Sequence, residues 1–172
     1  MRLKNRILRG GIFFVIFVIL HFLYDLFPHP AVGLVSGTSE SVFQHLKIGF
    51  YAYLLAGLLE LPLLPVRRIF LSPRNTYPWL FTAVLVPWFL FILYYLMPAI
   101  AGEVENMRYH VMYSTFITYV AGVFAAVVRD EIAEAPLGRG LRLITLLLFI
   151  STAVLVVVFN VQPPPLDLFE IP

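Results

Sequence analysis

The chain has 172 residues, 60% of them hydrophobic and 13% charged, and a mean hydropathy of +0.89; a soluble domain carries roughly 25% charged residues. It has no cysteine, which excludes disulfides, thiolate metal sites and cysteine nucleophiles. A formal charge of +2 without a basic face argues against nucleic acid as a partner.

The apolar residues fall into five runs, each close to the ~20 residues that a helix needs to cross a hydrocarbon core. They are residues 10–27, 45–66, 77–100, 108–128 and 141–161. The ten-residue alternation of membrane β-strands is missing from them. The predicted fold is therefore all-α, a single-domain integral membrane bundle of five transmembrane helices with an extended tail at 162–172.

The first run follows "MRLKNRILRG", which resembles the basic start of a signal peptide, yet no small-x-small cleavage site follows. It reads as a retained signal anchor. His21 and Asp25, four apart, share a face near its far end. Either they form a local hydrogen-bonded pair or that face lines a cavity, because ionisable residues within spans usually face a bundle interior or water.

Before the second run stands "AVGLVSGTSE", a loop by its Gly, Ser and Thr, and Ser41-Val-Phe-Gln44 fits a capping box, with Ser39 as a competing cap. Glu40 beside the first turn complements the positive end of the helix dipole. Capping explains Ser39, Glu40, Ser41 and Gln44. It leaves His45 and Lys47 without a role. Deeper in this helix, Glu60 precedes Pro62 and Pro65, which cannot donate backbone hydrogen bonds. The favoured reading is a Glu60 that hydrogen-bonds a freed carbonyl at a kink; a proton-carrying carboxylate is the alternative.

The fourth run opens "RYHVMYSTFIT", where His110, Ser114 and Thr118 recur every four residues as a polar stripe. Ala121/Ala125 and Gly122/Ala126, and Ala52/Ala56 in the second run, put small residues at helix–helix contact spacing. Packing within the bundle is their favoured use, and homo-oligomerisation through the same faces is the alternative. After the fifth run, "QPPPLDLFEIP" is expected to be extended. Its Leu166, Leu168, Phe169 and Ile171 either fold back over an opening or fray.

Cations set the orientation. Arg2, Lys4, Arg6, Arg9, Arg67, Arg68, Arg74, Arg129, Arg139 and Arg142, ten of the twelve Lys and Arg residues, fall on one side. Only Lys47 and Arg108 fall on the other. The N-terminus is thus expected inside and the C-terminus outside, in the plasma membrane. All four histidines then lie in the outer half: His21, His29, His45 and His110, with Asp25, Glu40, Glu103 and Glu105.

From these, an outer polar cavity is expected to involve His21, Asp25, Glu40, Ser41, His45, Lys47, His110 and Ser114, and to bind a metal ion or a polar lipid head group. His21, Asp25, Glu40, His45 and His110 are the candidate metal ligands, nitrogen and oxygen donors that suit zinc or a harder divalent ion. With a metal bound, Glu40 or Asp25 is a candidate general base. Two other classes stay open: a small-solute or ion carrier using this cavity and Glu60, and a non-catalytic partner subunit. Whether the protein is an enzyme is left undecided.

The stretch "SESVFQHLKIGFYAYLL" resembles the signature of a family of small multi-pass membrane proteins catalogued as a domain of unknown function. That signature reads Asn-Glu-Ser-Val-Trp-Glu-His-Leu-Lys and leads into an apolar helix. Glu40, Ser41, Val42, His45, Leu46 and Lys47 match it, while Ser39, Phe43 and Gln44 depart conservatively. The tail is similar to the family's Pro-rich ending at Leu168 and Phe169, with Ile171 in place of an Asp. The resemblance implies the five-span architecture and no activity.

Overall fold

The computed structural model describes the backbone at residues 2–63, 72–102 and 106–170, and the side chains at 3–59, 72–102 and 106–170. The side chain of Glu60, Pro65, Arg67, Arg68, Glu103, Glu105 and Ile171 lie outside the described residues. The elements in order are α1 (Arg2–Leu26), a single turn α2 (Pro30–Gly33), α3 (Val42–Leu63), α4 (Pro73–Ala101), α5 (Met107–Glu134), α6 (Arg139–Val161) and a 3-10 turn (Asp167–Phe169). Among the described residues there is no strand. Helices α1, α3, α4, α5 and α6 are long and apolar enough to cross a membrane.

Local chemistry sets the ends. Proline occupies the first helical position of α2 and α4, where its missing N–H costs nothing. The Asn106 side chain caps α5 by accepting from the Arg108 N–H at 3.0 Å. Gly102, with φ +75°, ends α4 in a backbone conformation that suits glycine, and its N–H bonds back to the Pro98 carbonyl. Prolines at 163–165 follow the end of α6.

Helix α1 begins eight residues before the apolar run, because its basic segment continues the helix and meets the end of α5. Arg6 Nε and Nη2 bond Asp130 at 3.0 Å and Glu131 at 2.7 Å, and Arg9 Nη1 reaches Asp130 at 2.7 Å. At the same end, Arg74 donates to the Ala133 carbonyl and the Arg142 guanidinium lies 5.6 Å from the Tyr77 ring centre. One end of the bundle is therefore basic.

Helices α1, α3, α4 and α5 pack as a closed ring, each against the next, and α6 lies outside against α4. Helix α3 is the central element: 61% of its span is buried, against 11% for α6. Its apolar residues show no single face, and those further along it, Leu55, Leu58 and Leu59, are exposed. Phe13, Phe17 and Leu20 of α1 meet Ile48, Phe50 and Tyr53 of α3 in the core, joined by Val86 and Leu90 of α4.

The small-residue faces are consumed inside this ring. A Cβ on Gly10 would lie 2.5 Å from Val123 Cγ2, and one on Gly122 would lie 2.5 Å from Phe13 Cδ1 and 3.0 Å from the Gly10 carbonyl oxygen. Helices α1 and α5 therefore touch backbone to backbone at Gly10 and Gly122. Ala52, Ala56, Ala121, Ala125 and Ala126 are likewise buried. These faces pack against the chain's own helices.

Candidate functional site

Towards the end opposite the basic one, α1 and α5 diverge from their Gly10–Gly122 contact and leave a cavity of about 770 Å³. Its walls come from α1, α3, α4 and α5, and Glu40 closes one side from the loop before α3. Of the sequence candidates, His21, Glu40, His45, His110 and Ser114 line it.

The loop that carries Glu40 is tied down at several points. The Gly37 N–H donates to the Leu20 carbonyl, within α1, and Ser36 Oγ donates to the Val32 carbonyl. The Thr38 N–H donates to Gln44 Oε1 at 3.3 Å. The capping box is not formed, because Gln44 reaches Thr38 and Asn160 instead of the Ser41 N–H. The Ser41 N–H is met by Ser39 Oγ at 3.5 Å. This tethering brings Glu40 over His21 and His45.

His21, Glu40 and His45 each offer a ligand atom, and those atoms lie within 4.8 Å of one another. His21 Nε2 is 3.6 Å from Glu40 Oε1, and His45 Nε2 is 3.6 Å from Glu40 Oε2. The two imidazole centres are 5.1 Å apart, and His45 also stacks on Phe17 at 6.4 Å. Glu40 is the exposed partner of the set, with its side chain 68% accessible.

The tautomer of His45 follows from one contact. Its Nδ1 lies 2.9 Å from the Ser41 carbonyl oxygen, which can only accept, so Nδ1 carries the proton and Nε2 presents a lone pair. That lone pair faces a carboxylate, which also offers only lone pairs. A proton or a metal ion placed between two such acceptors would bridge them. Among the described residues, the buried Nδ1 of His21 has no hydrogen-bond partner.

Other candidates fall elsewhere. Asp25 is exposed and does not line the cavity. The returning loop meets α1 at Leu20, more than a turn before Asp25, so His21 faces Glu40 and the expected metal set loses one carboxylate. His110 stands on another wall, 6.1 Å from the Tyr94 ring, and is not in the His21–Glu40–His45 group. Ser41 is buried and contributes its carbonyl to His45. Thr118 donates its hydroxyl to the Ser114 carbonyl, so part of the α5 stripe is spent on its own helix. His29 caps α2 through Nδ1.

Lys47 is also outside the cavity. It is fully buried and points to the opposite side of α3, where its ammonium donates to the Gly33 carbonyl at 2.8 Å and to Asn160 Oδ1 at 2.6 Å. Asn160 accepts from Gln44 Nε2 as well, at 3.5 Å. Above this latch the tail turns back, and Phe169 packs on Phe43 and Phe159 at 4.6 and 5.6 Å. Asn160 escaped the sequence reading, and by sequence Tyr94 reads only as an outer-interface aromatic and not as a cavity residue. The amide of Asn160 within the apolar run "VLVVVFNV" was the available signal for Asn160.

Comparison with family models, curated proteins and solved structures finds no match to this chain.

Proposed function

We propose that the protein is a multi-pass plasma-membrane protein that binds one divalent metal ion, zinc by preference, at the mouth of an outward-facing cavity. The ligands are His21 Nε2, His45 Nε2 and a Glu40 carboxylate oxygen. The observation that carries this reading is the convergence of these three groups from α1, α3 and the loop between them, within 4.8 Å. Tetrahedral zinc with bonds of about 2.0–2.2 Å keeps neighbouring ligands about 3.3 Å apart. The two 3.6 Å separations, one imidazole to each Glu40 oxygen, are close to that value.

The Ser41 carbonyl on His45 Nδ1 is the kind of outer contact that fixes a metal-bound imidazole in orientation and tautomer. Three protein ligands leave a coordination position open, and it gives onto the cavity. The outward direction rests on the cation distribution, with the basic end inside. The resemblance of residues 39–47 to the unknown-function family's signature belongs to the same proposal: Glu40 and His45, two of its matching positions, supply two of the three ligands.

Elemental analysis and thermal unfolding of the detergent-purified protein test this. About one zinc per chain and a lower Tm in chelator are expected, since a ligand that binds only the folded state stabilises it by about 2.7 kcal/mol at a hundredfold excess over Kd. No retained metal at equimolar zinc, with an unchanged Tm in chelator, contradicts it.

A further inference from the structure

The cavity is far larger than a metal site requires. Its α5 wall runs from Met107 to Thr118, about 16 Å at 1.5 Å per residue and so roughly half of a 30 Å hydrocarbon core. The polar groups gather at one end of it, His21, Glu40, His45 and His110. The remainder is mainly apolar, with Phe14, Phe17, Leu90 and Ile117 among its walls, and its hydroxyls include Thr118, which is bonded to its own helix. Val18 and Val111 also line it and are exposed, on α1 and α5, so the cavity is open sideways between these helices. Water in such a space leaves apolar surface wetted at roughly 25 cal/mol per Å².

We propose that this cavity receives an amphiphile from the outer leaflet: a single apolar chain lies between α1 and α5, and a monoanionic oxygen head takes the metal's open position. The inference rests on the metal reading above. Its first support is charge. A divalent ion with Glu40 and two neutral imidazoles is left with one net positive charge, which one monoanion neutralises in a low-dielectric site. Its second support is size. At the roughly 30 Å³ that a water takes in the liquid, 770 Å³ holds about twenty-five non-hydrogen atoms, a head group and one long chain. Its third is depth, since a trough reaching from the interface to mid-membrane matches a chain from one leaflet. His110 and Ser114, across the cavity, are placed to hydrogen-bond the head.

A fatty carboxylate and the phosphodiester of a phospholipid share this chemistry. The test uses a photoactivatable diazirine in the chain of each: a palmitate probe and a phosphatidylglycerol probe, applied to the zinc-loaded protein in detergent with peptide mapping of the adducts. At least one probe is expected to label the cavity-facing residues of α1 and α5, and the one that does identifies the head. Excess unlabelled parent lipid should compete, whereas methyl palmitate, which has a chain and no charge, should not. Val18→Trp, and Val111→Trp from the opposite wall, should each reduce cavity labelling at least tenfold while one zinc per chain is retained.

Labelling spread over the exposed faces of the bundle and unaffected by either variant overturns the amphiphile and leaves the metal site standing. Cavity labelling by a protein that retains no zinc overturns the metal reading and the proposed head-group contact with it. Equal competition by methyl palmitate overturns the monoanionic head alone.

Discussion

His45 Nδ1 is bound to the Ser41 carbonyl one turn earlier on its own helix, and this contact aims Nε2 at Glu40 and His21. Replacing His45 with Ala removes a ligand and is expected to weaken zinc binding by at least about 100-fold, beyond the 10–100-fold typical of losing an outer-shell contact. Glu40→Gln keeps the shape and removes the charge, and should weaken binding at least about tenfold, or about 1.4 kcal/mol. Titration calorimetry reads both. Because imidazole must be deprotonated to bind a metal, affinity should fall as the solution is acidified. At this scale the sequence was informative only in part: capping left His45 and Lys47 over, yet the capping box is not formed, Glu40 joins His45, and Lys47 lies outside the cavity. Asp25 shows the limit of such reasoning. Helical spacing puts it on the face of His21, but the height at which the loop returns to α1, marked by Gly37 on Leu20, is a tertiary fact.

Among the elements, α3 is the one on which the others depend, and Lys47 joins it to two distant parts of the chain. Its ammonium fastens α2 through Gly33 and α6 through Asn160, while Gln44 draws the Glu40 loop inward through Thr38. Asn160→Leu leaves a buried ammonium with one of its two acceptors and should destabilise the protein by about 1–3 kcal/mol. Lys47→Met combined with Asn160→Leu should cost less than the two single changes summed, since neither partner is then left buried alone. Denaturant unfolding in detergent checks this, and strict additivity would show that the contact carries no coupling. The pairing was not legible beforehand. Local patterns describe a helix's own neighbours, and Lys47 finds its partner more than a hundred residues away. The helices themselves were legible because twenty apolar residues in a row have few other uses. The starts of α1 and α4 were less so, because polar ends extend a helix beyond its apolar run once a neighbour accepts them, as α5 accepts Arg6 and Arg9.

Seen whole, the molecule is a polarised bundle. Its basic end is tied by Arg6, Arg9 and Asp130, and its other end holds the cavity, the His21–Glu40–His45 group and the Lys47 latch. The positive-inside rule turns this polarity into an orientation. A reporter fused after Pro172 is expected to read outside the cell, and a cytoplasmic signal there would turn the cavity inward. The three-way convergence of α1, the loop and α3 carries the functional account, and X-ray absorption at the zinc edge examines it most directly. Protein loaded with one equivalent of zinc should give imidazole scattering from two histidines, with nitrogen and oxygen at about 2.0–2.2 Å. That imidazole signal should halve or vanish in His45→Ala. An all-oxygen shell, or a spectrum that His45→Ala leaves unchanged, would contradict the site.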